Sequence, residues 1–121
     1  MSRDYKKIKA WRLADRLALE VYKATKNFPK SETWALTSQM RRAAISVPAN
    51  IVEGATRKNK KEYLQFLYIA ISSLMELGYY IKFAKEVKYL TTGNFKSLTL
   101  QYEESVKTLR GLINYIEKSK V

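Results

Sequence analysis

The sequence has no cysteine and no histidine, and only 4 glycines and 2 prolines in 121 residues. Without cysteine there is no disulfide framework, thiolate nucleophile or thiolate metal site, and the composition fits a reducing cytoplasm better than an oxidising compartment. Without histidine the commonest general base and metal ligand is missing. That removes serine triads and the Glu-x-x-His pattern of di-iron bundles. The scarce glycines form neither a Gly-x-x-x-x-Gly-Lys phosphate loop nor a paired-glycine dinucleotide fingerprint. Acidic residues are also few, with 11 Asp and Glu against 23 Lys and Arg and a net charge of +12. The expectation is a non-enzymatic protein without a cofactor, whose positive field attracts polyanions such as nucleic acid or an anionic membrane surface.

A hydrophobic content of 46% over this length is enough for one core, and residues 1–121 read as one domain. No stretch alternates as a strand does; apolar residues recur every three or four positions instead. Ile8, Trp11, Ala14, Ala18, Val21 and Thr25 mark helix one, which Phe28-Pro29 ends, and Ser31 is positioned to cap the second helix. Leu36, Met40, Ala43, Val47, Ile51 and Gly54 mark helix two. Pro48 lies inside it, so a kink is expected where the bond to the Ala44 carbonyl is lost. Asn59 and Glu62 form a capping box before helix three, where Tyr63, Leu67, Ala70, Leu74, Leu77, Ile81 and Ala84 make an unbroken heptad series. Thr91 to Asn94 reads as the last turn, and Phe95, Leu98, Tyr102, Ser105, Leu109, Leu112 and Ile116 mark helix four. The fold class expected is all-α, an antiparallel up-down-up-down four-helix bundle.

Two of these helices carry more apolar surface than one core needs. Ile45 and Val52 fall on the far side of helix two, and Phe66, Tyr68, Ile69, Ile71, Met75, Tyr79, Tyr80 and Phe83 add to helix three. Such surplus stripes suggest a partner surface, with a second copy of the chain as the first candidate. Tyr63 to Ile81 is also about the length that spans a bilayer. Gln65, Ser72, Ser73 and Glu76 inside it favour a buried helix of a soluble bundle over a membrane span. Met1 to Lys9 is polar and basic and lacks the apolar centre of a secretory signal.

An up-down-up-down path brings the start of helix one, the loop between helices two and three and the end of helix four to one pole. Arg3, Lys6, Lys7, Lys9 and Arg12 come from the first, Arg57, Lys58, Lys60 and Lys61 from the second, and Lys118 and Lys120 from the third. Any one such cluster could simply solvate a helix end; three converging form a candidate site for RNA or DNA phosphates. Tyr5, beside this pole, is the candidate for stacking on a base, whereas Tyr63 and Tyr102 fall at core positions. Arg41 and Arg42 in helix two are suited either to hold a phosphate or to pair with Glu53 or a partner's carboxylate. Gln39, Arg42, Ser46, Asn50 and Glu53 lie along one side of helix two and read as a hydrogen-bonded packing stripe rather than an active site.

Phe28-Pro29-Lys30-Ser31-Glu32, the run from Leu36 through Gln39, Arg41, Arg42, Ile45, Ser46, Pro48, Asn50, Val52 and Glu53 to Gly54, and Ala70 with Ser73-Leu74-Met75-Glu76-Leu77 together closely resemble a known signature. It is that of the four-helix bundle proteins encoded in 23S rRNA intervening sequences. That family is similar to the accessory variability determinant of diversity-generating retroelements. The resemblance implies a four-helix bundle, a ring-shaped homopentamer, and partners that include nucleic acid and a reverse transcriptase. Trp34-Ala35 stands where the family pattern has an aromatic-glycine pair, and Gly78 stands where many members are acidic.

Overall fold

The computed structural model describes residues 3–120. A short 3-10 turn at Tyr5–Lys7 leads into four helices: α1 (Lys9–Thr25), α2 (Leu36–Ala55), α3 (Lys60–Glu86) and α4 (Thr92–Lys118). Each packs on two neighbours in the cyclic order α1, α2, α3, α4, closing a four-helix bundle. Contacts at the ends give the direction of the chain. The Arg3 N–H donates to the Ala55 carbonyl and Lys60 reaches the Glu117 carbonyl at one end, while Arg41 meets Tyr22 and Tyr89 meets Glu32 at the other. The helices therefore run up-down-up-down, as the short connections require.

All seven heptad residues of α3, from Tyr63 to Ala84, are buried. They meet Leu17 and Val21 of α1, Met40, Val47 and Ile51 of α2, and Leu98 and Leu109 of α4 in one continuous core. This accounts for part of the apolarity of a helix that, by length and composition alone, could cross a membrane. In α4 the buried residue of the last turns is Ile113, with Leu112 and Ile116 half-buried on either side of it. The core stripe is rotated there by one position from the sequence-based expectation. α2 continues without a break through Pro48, which is itself buried. Met40 and Val47 before it and Ile51 after it anchor the same face to the core, which offsets the hydrogen bond that proline cannot make.

The α2–α3 contact is the most extensive in the bundle. A methyl group added at Gly54 would lie 2.9 Å from the Phe66 Cβ and 3.3 Å from the Tyr63 carbonyl oxygen, so only glycine allows α3 to start this near to α2. Half-way along, the Ser46 and Ser73 hydroxyls meet at 2.8 Å, and the Asn50 amide donates to both the Ser46 carbonyl and its hydroxyl. The polar stripe of α2 is in part a packing device, as its spacing suggested. At Gly78 the missing side chain is filled by the ring of Tyr102, whose hydroxyl reaches the Met75 sulfur at 3.8 Å. This glycine thus makes room for an α3–α4 contact.

Helix ends were only partly legible. Asn59 caps α3 by accepting from the Glu62 N–H at 2.8 Å, as expected. Ser31 does not cap α2: it sits in a 3-10 turn, Lys30–Glu32, and the carboxylate of Glu32 accepts from the Leu36 N–H instead. Thr91 to Asn94 is not the turn but the start of α4, with the Thr91 hydroxyl accepting from the Asn94 N–H. The reversal comes earlier. The Tyr89 N–H bonds to the Ala84 carbonyl and the Lys88 N–H to the Lys85 carbonyl, with Lys88 left-handed at φ 66°. This is a Schellman ending with lysine in the usual glycine position, which sequence alone hides.

Two substitutions should change stability in opposite directions. Gly54→Ala forces α2 and α3 apart and should cost about 1–3 kcal/mol in urea unfolding. Lys88→Gly relieves the left-handed backbone and should add about 1 kcal/mol by the same measurement.

Candidate nucleic-acid interface

The three basic clusters do meet at one pole. Backbone contacts between Arg3 and Ala55, and side-chain contacts of Arg3 with Arg57 and of Lys60 with Glu117, tie the chain start, the α2–α3 loop and the end of α4 together. Their cations do two different jobs. Arg3 lies over the Tyr63 ring at 4.0 Å and donates to the Arg57 carbonyl at 2.9 Å, while Arg12 donates to the Lys6 carbonyl at 3.1 Å. Arg57 lies over Phe66 and bonds Glu53 at 2.8 Å, and Lys60 donates to the Glu117 and Ser119 carbonyls. A cation at the last carbonyls of a helix is favoured by the helix dipole, so Lys60 fastens the end of α4. These four side chains build the pole.

Lys6, Lys7, Lys9, Lys58, Lys61, Lys118 and Lys120 are exposed, and among the described residues their ammonium groups have no ion-pair partner. Asp4, Glu53, Glu62 and Glu117 are the acids at this end. Asp4 accepts from the Lys6 N–H, Glu53 pairs with Arg57 and Glu117 accepts from the Tyr68 hydroxyl at 2.5 Å. The acids here are largely occupied and the lysines are not, which leaves an outward positive field. Tyr63, beneath Arg3, has its phenol pushed above the ordinary value by burial, with the guanidinium pulling it partly back. It stays neutral and structural, in keeping with its heptad position.

Tyr5 is not an open stacking surface. Its ring packs edge-on against Trp11 at 4.8 Å and is half-buried. Arg41 and Arg42, similar in sequence, part company. Arg41 donates to the Thr25 hydroxyl at 2.8 Å and to the Tyr22 carbonyl at 3.1 Å, closing the end of α1. Arg42 stays exposed, beside Gln39, Ser46, Ser73 and Glu76 in a shallow depression between α2 and α3. Glu53 is taken by Arg57, so neither arginine of the pair meets it. Ile45 is 52% exposed and Val52 is half-buried. On α3, Ile69, Tyr79 and Phe83 are exposed, so the surplus apolar faces do point outward.

The opposite pole, which the linear sequence does not reveal, is basic as well. The ends of α1 and α3 and the start of α4 bring Lys26, Lys30, Lys82, Lys85, Lys88 and Lys96 there. Only tertiary topology joins residues so far apart in the chain.

A profile of the 23S rRNA-intervening sequence protein family matches residues 6–111, nearly the whole bundle. The chain belongs to this family. A crystal structure of an S23 ribosomal protein family member of unknown function from Bacteroides thetaiotaomicron VPI-5482 has the same fold. It superposes with a TM-score of 0.76 at 21% identity, over 86% of this chain and 97% of that one. No curated protein matches the chain. The fold explains why the α2 signature is so rich in polar residues, since Ser46, Asn50 and Gly54 are the α2–α3 joint itself.

The division between structural and free cations is measurable. Lys60→Gln should lower stability by about 1 kcal/mol in urea unfolding, whereas Lys61→Gln, one position along, should change it by less than about 0.5 kcal/mol.

Proposed function

We propose that this protein is a non-enzymatic, cytoplasmic, homo-oligomeric bundle that binds nucleic acid, with RNA as the preferred class, through the pole formed by Arg3 to Arg12, Arg57 to Lys61 and Lys118 to Lys120. The observation that carries the reading is the convergence there of lysines that have no ion-pair partner among the described residues. A phosphate backbone laid across them releases condensed counterions, so affinity comes from charge and not from base recognition. Membership of a family named for 23S rRNA intervening sequences is in keeping with an RNA partner. Self-association is assigned to the exposed apolar residues Ile45, Ile69, Tyr79 and Phe83 of α2 and α3 with the half-buried Val52, with a five-membered ring as the form that the resemblance implies.

A protein-interaction scaffold, for a reverse transcriptase for example, is the second reading. It is favoured by the same exposed aromatics, Tyr79 and Phe83, and by the exposed Arg42, which has no ion-pair partner among the described residues. Charge reversal separates the two. Lys60 is unsuitable because it fastens α4, so the variant is Lys7→Glu, Lys58→Glu and Lys61→Glu together. Mobility shift should show affinity for RNA falling at least about tenfold, while light scattering coupled to gel filtration shows an unchanged assembly. For the unaltered protein the same titration should weaken steeply from low to physiological salt. Binding that is absent, or indifferent to salt, would sink the nucleic-acid reading.

A further inference from the structure

Trp34 is 91% exposed, the most exposed large apolar side chain among the described residues. It stands in the connection between α1 and α2, at the pole opposite the proposed binding face. The two poles are separated by the length of α3, 27 residues or about 40 Å. With Tyr22, Arg41, Arg42 and Ile45, Trp34 lines an open groove of about 380 Å³ between the end of α1 and the start of α2.

The surroundings of this groove are cationic. Lys26 follows Tyr22 by one helical turn at the end of α1, and Lys30 opens the 3-10 turn that leads to Trp34. Both are exposed and have no ion-pair partner among the described residues. The acids close by are engaged. Glu20 pairs with Lys23 at 3.7 Å, Glu32 accepts from the Leu36 N–H and the Tyr89 hydroxyl, and Glu76, which shares a depression with Arg42, accepts from the Tyr80 hydroxyl at 2.8 Å. Arg41 is held at its position by Thr25 and Tyr22 and lies over the Tyr22 ring at 4.6 Å. The result is a bare indole and an exposed guanidinium, that of Arg42, with Lys26 and Lys30 carried on the two adjoining segments of chain.

A flat aromatic face flanked by cations is the arrangement that takes an unpaired base and its phosphates. A duplex hides its base faces, so such a site discriminates for single strands without reading their sequence. From this juxtaposition we infer that the Trp34 groove is a second nucleic-acid contact, which stacks an unpaired base on Trp34 and places adjacent phosphates on Lys26, Lys30 and Arg42. The inference rests on the nucleic-acid reading above and deepens it: one pole takes any phosphate backbone, and the other holds a single-stranded segment. One molecule is then able to hold a duplex at one end and its unpaired extension at the other.

The sequence has 2 tryptophans, so Trp11→Phe leaves Trp34 as the only indole. This variant is titrated with a single-stranded oligouridylate and with a blunt RNA duplex of equal length, both dye-labelled for anisotropy. Single strands should quench Trp34 by about half or more, and duplex should bind by anisotropy with little quenching. Adding Lys26→Glu and Lys30→Glu should raise the single-strand concentration needed for quenching by at least about fivefold. Adding Lys7→Glu and Lys61→Glu at the other pole should weaken duplex binding and leave the quench at saturation intact. Binding by anisotropy with Trp34 unquenched, or quenched equally by duplex, overturns this second site and leaves the first standing. A Trp34 emission that shifts to the blue as free protein is concentrated overturns it too, because a second copy then covers the groove. No binding of either RNA overturns both readings.

Discussion

The near approach of α2 and α3 at Gly54 sets the geometry of the pole on which the functional reading depends. Because no side chain separates the helices there, the connecting loop is only four residues, 56–59, and Arg57 folds back over Phe66 towards Glu53. That places the Arg57 carbonyl where Arg3 reaches it, and Tyr63 where the Arg3 guanidinium covers its ring. Lys60, the first residue of α3, then lies beside the last carbonyls of α4. Three segments distant in the chain are joined by one tight helix crossing, and the remaining lysines are carried outward on that frame.

The pole illustrates why a count of charges is a poor guide to a binding surface. Arg3, Arg12, Arg57 and Lys60 each satisfy a carbonyl, a ring or a carboxylate, and their charge is spent in part on holding the bundle together. The exposed lysines beside them have no ion-pair partner among the described residues, and long, flexible, hydrated side chains of that kind suit a partner that is itself a mobile polyanion. Arg41 and Arg42 show the same division at single-residue resolution. Neighbours on a helix point about 100° apart, so one turns inward to α1 and the other outward to solvent.

Much of the fold was legible because the signals are local. The heptad from Tyr63 to Ala84 needed no tertiary information, and the Asn59 cap depends on a residue three positions away. Where expectation failed, a local rule had competitors. Ser31 has the right chemistry for a cap, yet Pro29 and the 3-10 turn after it bring Glu32 to the Leu36 N–H first. Thr91 to Asn94 has turn composition, but the helix-ending geometry at Lys88 completes the reversal earlier and leaves Thr91 to act as a cap. Tyr5 offered a ring near the basic cluster, and the 3-10 turn at Tyr5–Lys7 folds that ring onto Trp11.

The sequence by itself determined that four helices form and where their central turns lie, which face of α3 is core, and that the protein is strongly basic, because periodicity and net charge are properties of the chain. The tertiary structure alone decided which cations among the described residues lack an ion-pair partner, that the opposite pole is basic as well, and that Trp34 remains uncovered. The physical reason is that a charge or an aromatic ring is available to a partner only when nothing in the folded chain already occupies it, and occupancy is a matter of neighbours in space.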